Sequence, residues 1–150
     1  MDRRGQIRMS EAELAAFLDA QRTLVCATLG PEGRPHLAAL WYVPAGGRLD
    51  CWTYAASQKA RNLGRDPRAT LLTEAGTSYQ ELRGVTMECD AELVHDPDQV
   101  LDIGAALAAR YGGAHPGPDL RAALAPQAAK RVGIRFSPTR VSSWDHRKLG

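Results

Sequence analysis

The stretch from Trp52 to Leu63, Trp-Thr-Tyr-Ala-Ala-Ser-Gln-Lys-Ala-Arg-Asn-Leu, carries the residue types that could do chemistry. A β-branched and aromatic run stops there, and a helical pattern begins at Ser57. A serine at that boundary caps the helix, and the amides of the first turn point past the strand's end. Lys59 and Arg61 fall in the same turn. Helix-end amides, a hydroxyl and a cationic side chain converging on one point are suited to holding a phosphate. The same run of Lys59, Arg61, Arg65 and Arg68 also fits a solvated helix face, and the residues alone leave both readings open.

Elsewhere the chemical signals are fainter. His36, Trp41 and Tyr42 crowd one strand, where a planar ligand could lie along the backbone or the rings could simply pack. His95, His115 and His146 have no metal-ligand spacing, so they are expected at the surface and no metal site is expected. Three cysteines, Cys26, Cys51 and Cys89, sit far apart in apolar stretches, as reduced core thiols do. Glu81, Glu88 and Glu92 fit an outward strand face and not an acid/base pair. Nucleophile elbow, Walker loop and Rossmann glycine fingerprint are all missing, which argues against acyl transfer, nucleotide hydrolysis and classical dinucleotide binding. No catalytic residue is named.

The elements that must position these groups read as strands with peripheral helices. Ser10 and Glu13 have capping-box spacing ahead of Leu14, Phe17 and Leu18, which predicts a short amphipathic helix. Thr23–Leu29 and His36–Val43 flank Gly30-Pro31-Glu32-Gly33 and predict a hairpin. A turn over Pro44–Gly47 leads to a strand at Leu49–Tyr54. Arg68–Glu74 and Glu81–Val94 follow as strands, the second with a wet face of Thr86, Glu88, Asp90 and Glu92. Pro97–Arg110 and Asp119–Lys130 are predicted helices, and Val132–Val141 is a last strand broken near Pro138. About six strands with short turns favour an antiparallel barrel that leaves few open edges.

Size and charge agree with this. At 150 residues and 44% hydrophobic content the chain suits one domain, residues 1–150, with its own core. A formal charge of +2 gives no general attraction to nucleic acid or membrane, and neither is expected as a partner. No apolar run approaches the ~20 residues that span a bilayer, and the polar amino terminus lacks a signal core, so the expected location is cytoplasmic.

Ser57-Gln58-Lys59-Ala60-Arg61-Asn62-Leu63-Gly64-Arg65-Asp66-Pro67-Arg68-Ala69, then Glu81-Leu82-Arg83-Gly84-Val85, then Ser143-Trp144-Asp145-His146-Arg147-Lys148-Leu149 resemble, in that order, the pyridoxamine 5'-phosphate oxidase-like split-barrel family. The likeness is closest to its deazaflavin (coenzyme F420)-dependent branch B. It implies a mainly β, six-stranded, Greek-key split β-barrel of the FMN-binding kind, with peripheral helices. It further implies a homodimer with cofactor sites between the subunits. The ring would lie along His36, Leu37, Ala38, Ala39, Leu40 and Trp41. Trp52 and Thr53 would border the cofactor, Ser57 and Lys59 would bind its phosphate, and Gly84 would lie near the ring or ribityl chain.

Gln58 stands where FMN oxidases of the family carry a second cation, which leaves Arg61 as a substitute. Tyr79, Gln80 and Trp144 are further candidates for the open face. The implied activity is F420-dependent hydride transfer to a small or planar conjugated substrate. The alternatives are an FMN-dependent enzyme of the pyridoxamine-phosphate oxidase type and a non-catalytic cofactor-binding protein. A deazaflavin brings the hydride chemistry itself, which suits a chain without an obvious catalytic dyad.

Overall fold

In the computed structural model, which describes residues 2–150, seven antiparallel strands form one sheet and five helices lie around it. The chain runs α1 (Arg3–Ile7), α2 (Glu11–Ala20), β1 (Leu24–Leu29), β2 (Pro35–Leu40), β3 (Val43–Ala45), β4 (Arg48–Tyr54) and α3 (Gln58–Arg65). There follow β5 (Arg68–Ala75), β6 (Arg83–Val94), α4 (Pro97–Gly112), α5 (Pro118–Ala128) and β7 (Arg131–Asp145). Single 3-10 turns stand at Tyr79–Glu81 and His146–Leu149.

Sheet order is β2-β1-β5-β6-β7-β4-β3. The two edge strands, β2 and β3, are therefore consecutive in sequence, separated only by Trp41 and Tyr42. Three peptide steps reach about 11 Å at most. The sheet must curl until its two edges nearly meet, although no hydrogen-bonded ladder joins them. That leaves a split in an otherwise barrel-like wall.

Inward-facing residues alternate as the strand period requires. Leu24, Cys26, Leu71, Val85, Met87, Ile134 and Phe136 fill the interior together with Leu49, Cys51 and Tyr42. All three thiols are free and buried. Loss of solvation pushes Cys26 and Cys89 up to about 12, and Cys51 also well above the ordinary thiol value. They are packing residues rather than nucleophiles. A second cluster forms outside the sheet, where Val100, Ile103 and Leu107 of α4 meet Val94, Ala128 and Trp52.

The expected strand His36–Val43 is two strands. It breaks at Trp41–Tyr42 because Tyr42 turns inward, fully buried, and its hydroxyl donates to the Leu18 carbonyl at the end of α2. Pro44 lies in β3 and not in a turn, which an edge strand tolerates since no partner needs its missing N–H. The turn is Gly46-Gly47 alone, both at positive φ (57° and 83°), as a two-residue hairpin between right-twisting strands requires. The last strand runs through Pro138 to Asp145, with the irregularity absorbed by a register shift at Glu88/Cys89. On β6 the expected wet face is present, with Glu88, Asp90 and Glu92 exposed.

Candidate functional site

At the end of β4 the inward Thr53 is buried (4% exposed) and meets the first turn of α3. Ser57 is the helix cap: its backbone is extended, and its Oγ accepts from the Ala60 amide at 3.2 Å. Lys59 folds back so that Nζ donates to Thr53 Oγ1 at 3.0 Å, and Thr53 Oγ1 lies 3.4 Å from Ser57 Oγ. The amides of Gln58 and Lys59 have no protein acceptor among the described residues. One ammonium, two hydroxyls and two open amides thus converge, a donor set that fits a phosphate.

Asn62 fixes the helix that presents this turn. It is fully buried, donates Nδ2 to Thr28 Oγ1 of β1 at 3.0 Å, and accepts at Oδ1 from Gln58 Nε2 (2.8 Å) and Arg65 (3.2 Å). Arg65 also donates to the Leu29 carbonyl at 2.6 Å. Gln58 is therefore committed to the helix, and Arg61 is exposed with no partner of its side chain among the described residues.

From Thr53 a cleft of about 370 Å³ runs across the split in the sheet. Its walls bring together Ala39, Leu40 and Trp41 from the β2 side and Trp52 and Thr53 from β4, so five residues singled out in the sequence share one space. Trp41 is 60% exposed and stacks on Tyr111 of α4, ring centroids 4.4 Å apart and 3° from parallel. The Tyr111 hydroxyl is held by the backbone of Tyr42 and Arg22. Beside it, Arg110 donates to the Leu18, Asp19 and Gln21 carbonyls and so caps the C-terminus of α2, where a cation is favoured. The cleft's rim is thereby tied to two helices. Trp52 lies against Gly104, where a Cβ would come within 2.4 Å of the indole. Close approach of α4 to β4 is what that glycine permits.

The remaining predicted residues lie outside the cleft. His36 and Ala38 pair with Thr28 and Cys26 and face the interior, whereas Leu37 is 66% exposed on the outer face. Buried Nδ1 of His36 has no hydrogen-bond partner among the described residues. Tyr79 and Gln80 stand on an exposed turn where Tyr79 packs on His146, whose Nδ1 is 2.9 Å from the Tyr79 carbonyl. Gly84 pairs with Trp144 across β6 and β7, and a Cβ there would meet the indole at 2.6 Å. Its bareness serves that contact. Larger depressions of about 660 and 750 Å³ border α2 and α1, and neither contains a residue of the junction.

Leu107, Gln127 and Arg131 complete the cleft, and the sequence reading missed them. Only the β4–β7 register brings Arg131 beside Trp52, and nothing local announces it. Asn62 carried a usable signal, since an asparagine inside a helix is unfavourable unless it has a partner. Among the described residues no group of His, Cys, Asp or Glu could hold a metal ion, and no helix is long and apolar enough to cross a membrane.

The family profile for pyridoxamine 5'-phosphate oxidase matches residues 10–145. None of the curated proteins matches the chain. Among solved structures, a conserved hypothetical protein from Mycobacterium tuberculosis is 44% identical with a TM-score of 0.93, covering 100% of this chain and 93% of that one. An F420 reductase is 25% identical with a TM-score of 0.65, covering 85% of this chain and 94% of that one. A FAD-binding protein from Mesorhizobium loti, at 20% identity and a TM-score of 0.69, covers 91% and 96% and shares the fold.

Proposed function

Because the chain belongs to the pyridoxamine 5'-phosphate oxidase family, we propose that it is an oxidoreductase domain that grips a flavin-type cofactor by its phosphate at the β4–α3 junction. The grouping of Lys59 Nζ, the Thr53 and Ser57 hydroxyls and the two open amides beside a cleft that Thr53 itself lines carries this reading. Bound there, the cofactor supplies the redox chemistry. The residues of this chain bind and orient it. Lys59 and the helix end hold the anion, Ala39 and Leu40 offer the edge of β2, and Trp41 and Trp52 wall the cleft with apolar surface that excludes water.

FMN is the cofactor that family membership favours. F420 is the second reading, supported by the similarity to an F420 reductase and by Gln58, which adds no second cation and is bonded to Asn62. A non-catalytic cofactor-binding role shares the same site. Parallel titration of the purified chain with FMN, F420 and riboflavin discriminates between the two cofactors, and turnover of the bound cofactor with an added reductant or acceptor separates the catalytic from the non-catalytic role. Tighter binding of one phosphate-bearing cofactor than of riboflavin is the expected result, and weak, equal binding of all three overturns the proposal.

Pairing of two chains belongs to this reading. Val25 and Leu37 lie exposed on the outer face of β1 and β2. Such an apolar face favours burial against a second copy. Sedimentation velocity is expected to give a dimer at micromolar concentration, and a monomer throughout would remove this part.

A further inference from the structure

Arg131 holds its guanidinium in an arrangement that packing alone leaves incomplete. It opens β7 directly opposite Tyr54 of β4, with Trp52 two residues back on the same face. Its Cζ lies 4.4 Å from the Tyr54 ring centroid and 4.8 Å from that of Trp52. Rings occupy the faces of the cation and leave its N–H edge for an acceptor. The protein provides none: the terminal nitrogens of Arg131 make no hydrogen bond or ion pair among the described residues, and they are the donors a ligand in the cleft can reach, Nε being packed away from it. Arg131 is also the one charged residue lining the cleft, whose walls contain no carboxylate.

We propose that Arg131 forms a second anion subsite, taking a carboxylate or phosphate of a ligand that enters the Trp41–Trp52 cleft. Thr53 of the β4–α3 junction lines the same cleft, with Arg131 on the opposite face of the β4–β7 pair. The inference deepens the proposed function and rests on that reading for what enters the cleft. Aromatic stacking holds the guanidinium in place before binding, so little side-chain freedom is lost when the anion arrives. Gln127 is the neighbouring side chain able to supply a further amide donor. The anion is either a second charged group on the cofactor or the charged group of the substrate.

Pyrophosphate is the first probe, titrated into a Trp41→Phe/Trp144→Phe background so that emission reports Trp52. A saturable change is expected, weakened about tenfold or more by Arg131→Gln, as for loss of a charge-assisted contact, and less than about threefold by Lys59→Ala. Arg131→Lys keeps the charge without the fork and is expected to fall between, which keeps the test decisive if the glutamine variant does not fold. An unchanged Trp52 signal, or equal responses with and without Arg131, overturns the subsite.

The same variants titrated with FMN and F420 then assign the anion. If Arg131→Gln weakens a cofactor as it weakens pyrophosphate, the anion is the cofactor's. If only pyrophosphate binding suffers, it is the substrate's. Should neither cofactor bind the wild type, the proposed function falls, while the pyrophosphate result still decides the role of Arg131.

Discussion

Replacing Lys59 with alanine is expected to weaken binding of the phosphate-bearing cofactor by about 10- to 100-fold, the cost of a charge-assisted contact of roughly 1.5–3 kcal/mol. Riboflavin, which has the ring without the phosphate, should bind wild type and variant alike. That contrast separates loss of the anion grip from damage to the cleft. The fold should survive, because Lys59 is only half-buried and Thr53 keeps its contact with Ser57 at 3.4 Å. Isothermal titration of both proteins with both ligands reads the effect. Equal weakening of FMN and riboflavin would show that the lysine shapes the cleft instead of holding a phosphate, and no weakening would remove the junction from the site.

The second large effect falls on stability. Asn62→Ala leaves the Thr28 hydroxyl buried without its partner and frees Gln58 and Arg65 from the helix, and it is expected to cost about 2–3 kcal/mol. Urea denaturation measures this as a lower midpoint at an unchanged slope. The paired change Thr28→Val/Asn62→Leu should recover part of the loss. No polar atom then remains unmatched, and the cut ends of Gln58 and Arg65 are taken up by water. A single alanine variant that unfolds at the wild-type midpoint would show that the helix is held elsewhere, by Leu63 and Ala60 in the core.

Both predictions concern groups whose legibility in the sequence differed. Ser57, Lys59 and the strand-to-helix change could be read locally, since capping and apolar periodicity act over a few residues. The wet face of β6 and the buried thiols follow from alternation and from apolar neighbours, again local properties. What local patterns do not encode is which strands become neighbours. The break at Trp41–Tyr42 depends on the end of α2 receiving the Tyr42 hydroxyl, and Arg131 depends on β4 and β7 pairing across some eighty residues of chain. Gly84 looks open in the sequence because glycine is bare, yet the Trp144 indole fills the space above it. The resemblance supplied Thr53 and the β2 residues; periodicity alone would have left Thr53 an ordinary inward residue.

The sheet's two margins are joined directly along the chain. Since a strap of two residues joins its opposite margins, the gauge of the opening between them is set by covalent length, and side chains on either bank can change without widening it. Variants with altered lining would discriminate among guests by polarity and outline, while the thickness admitted stayed constant. Lengthening the strap is the way to admit a bulkier guest.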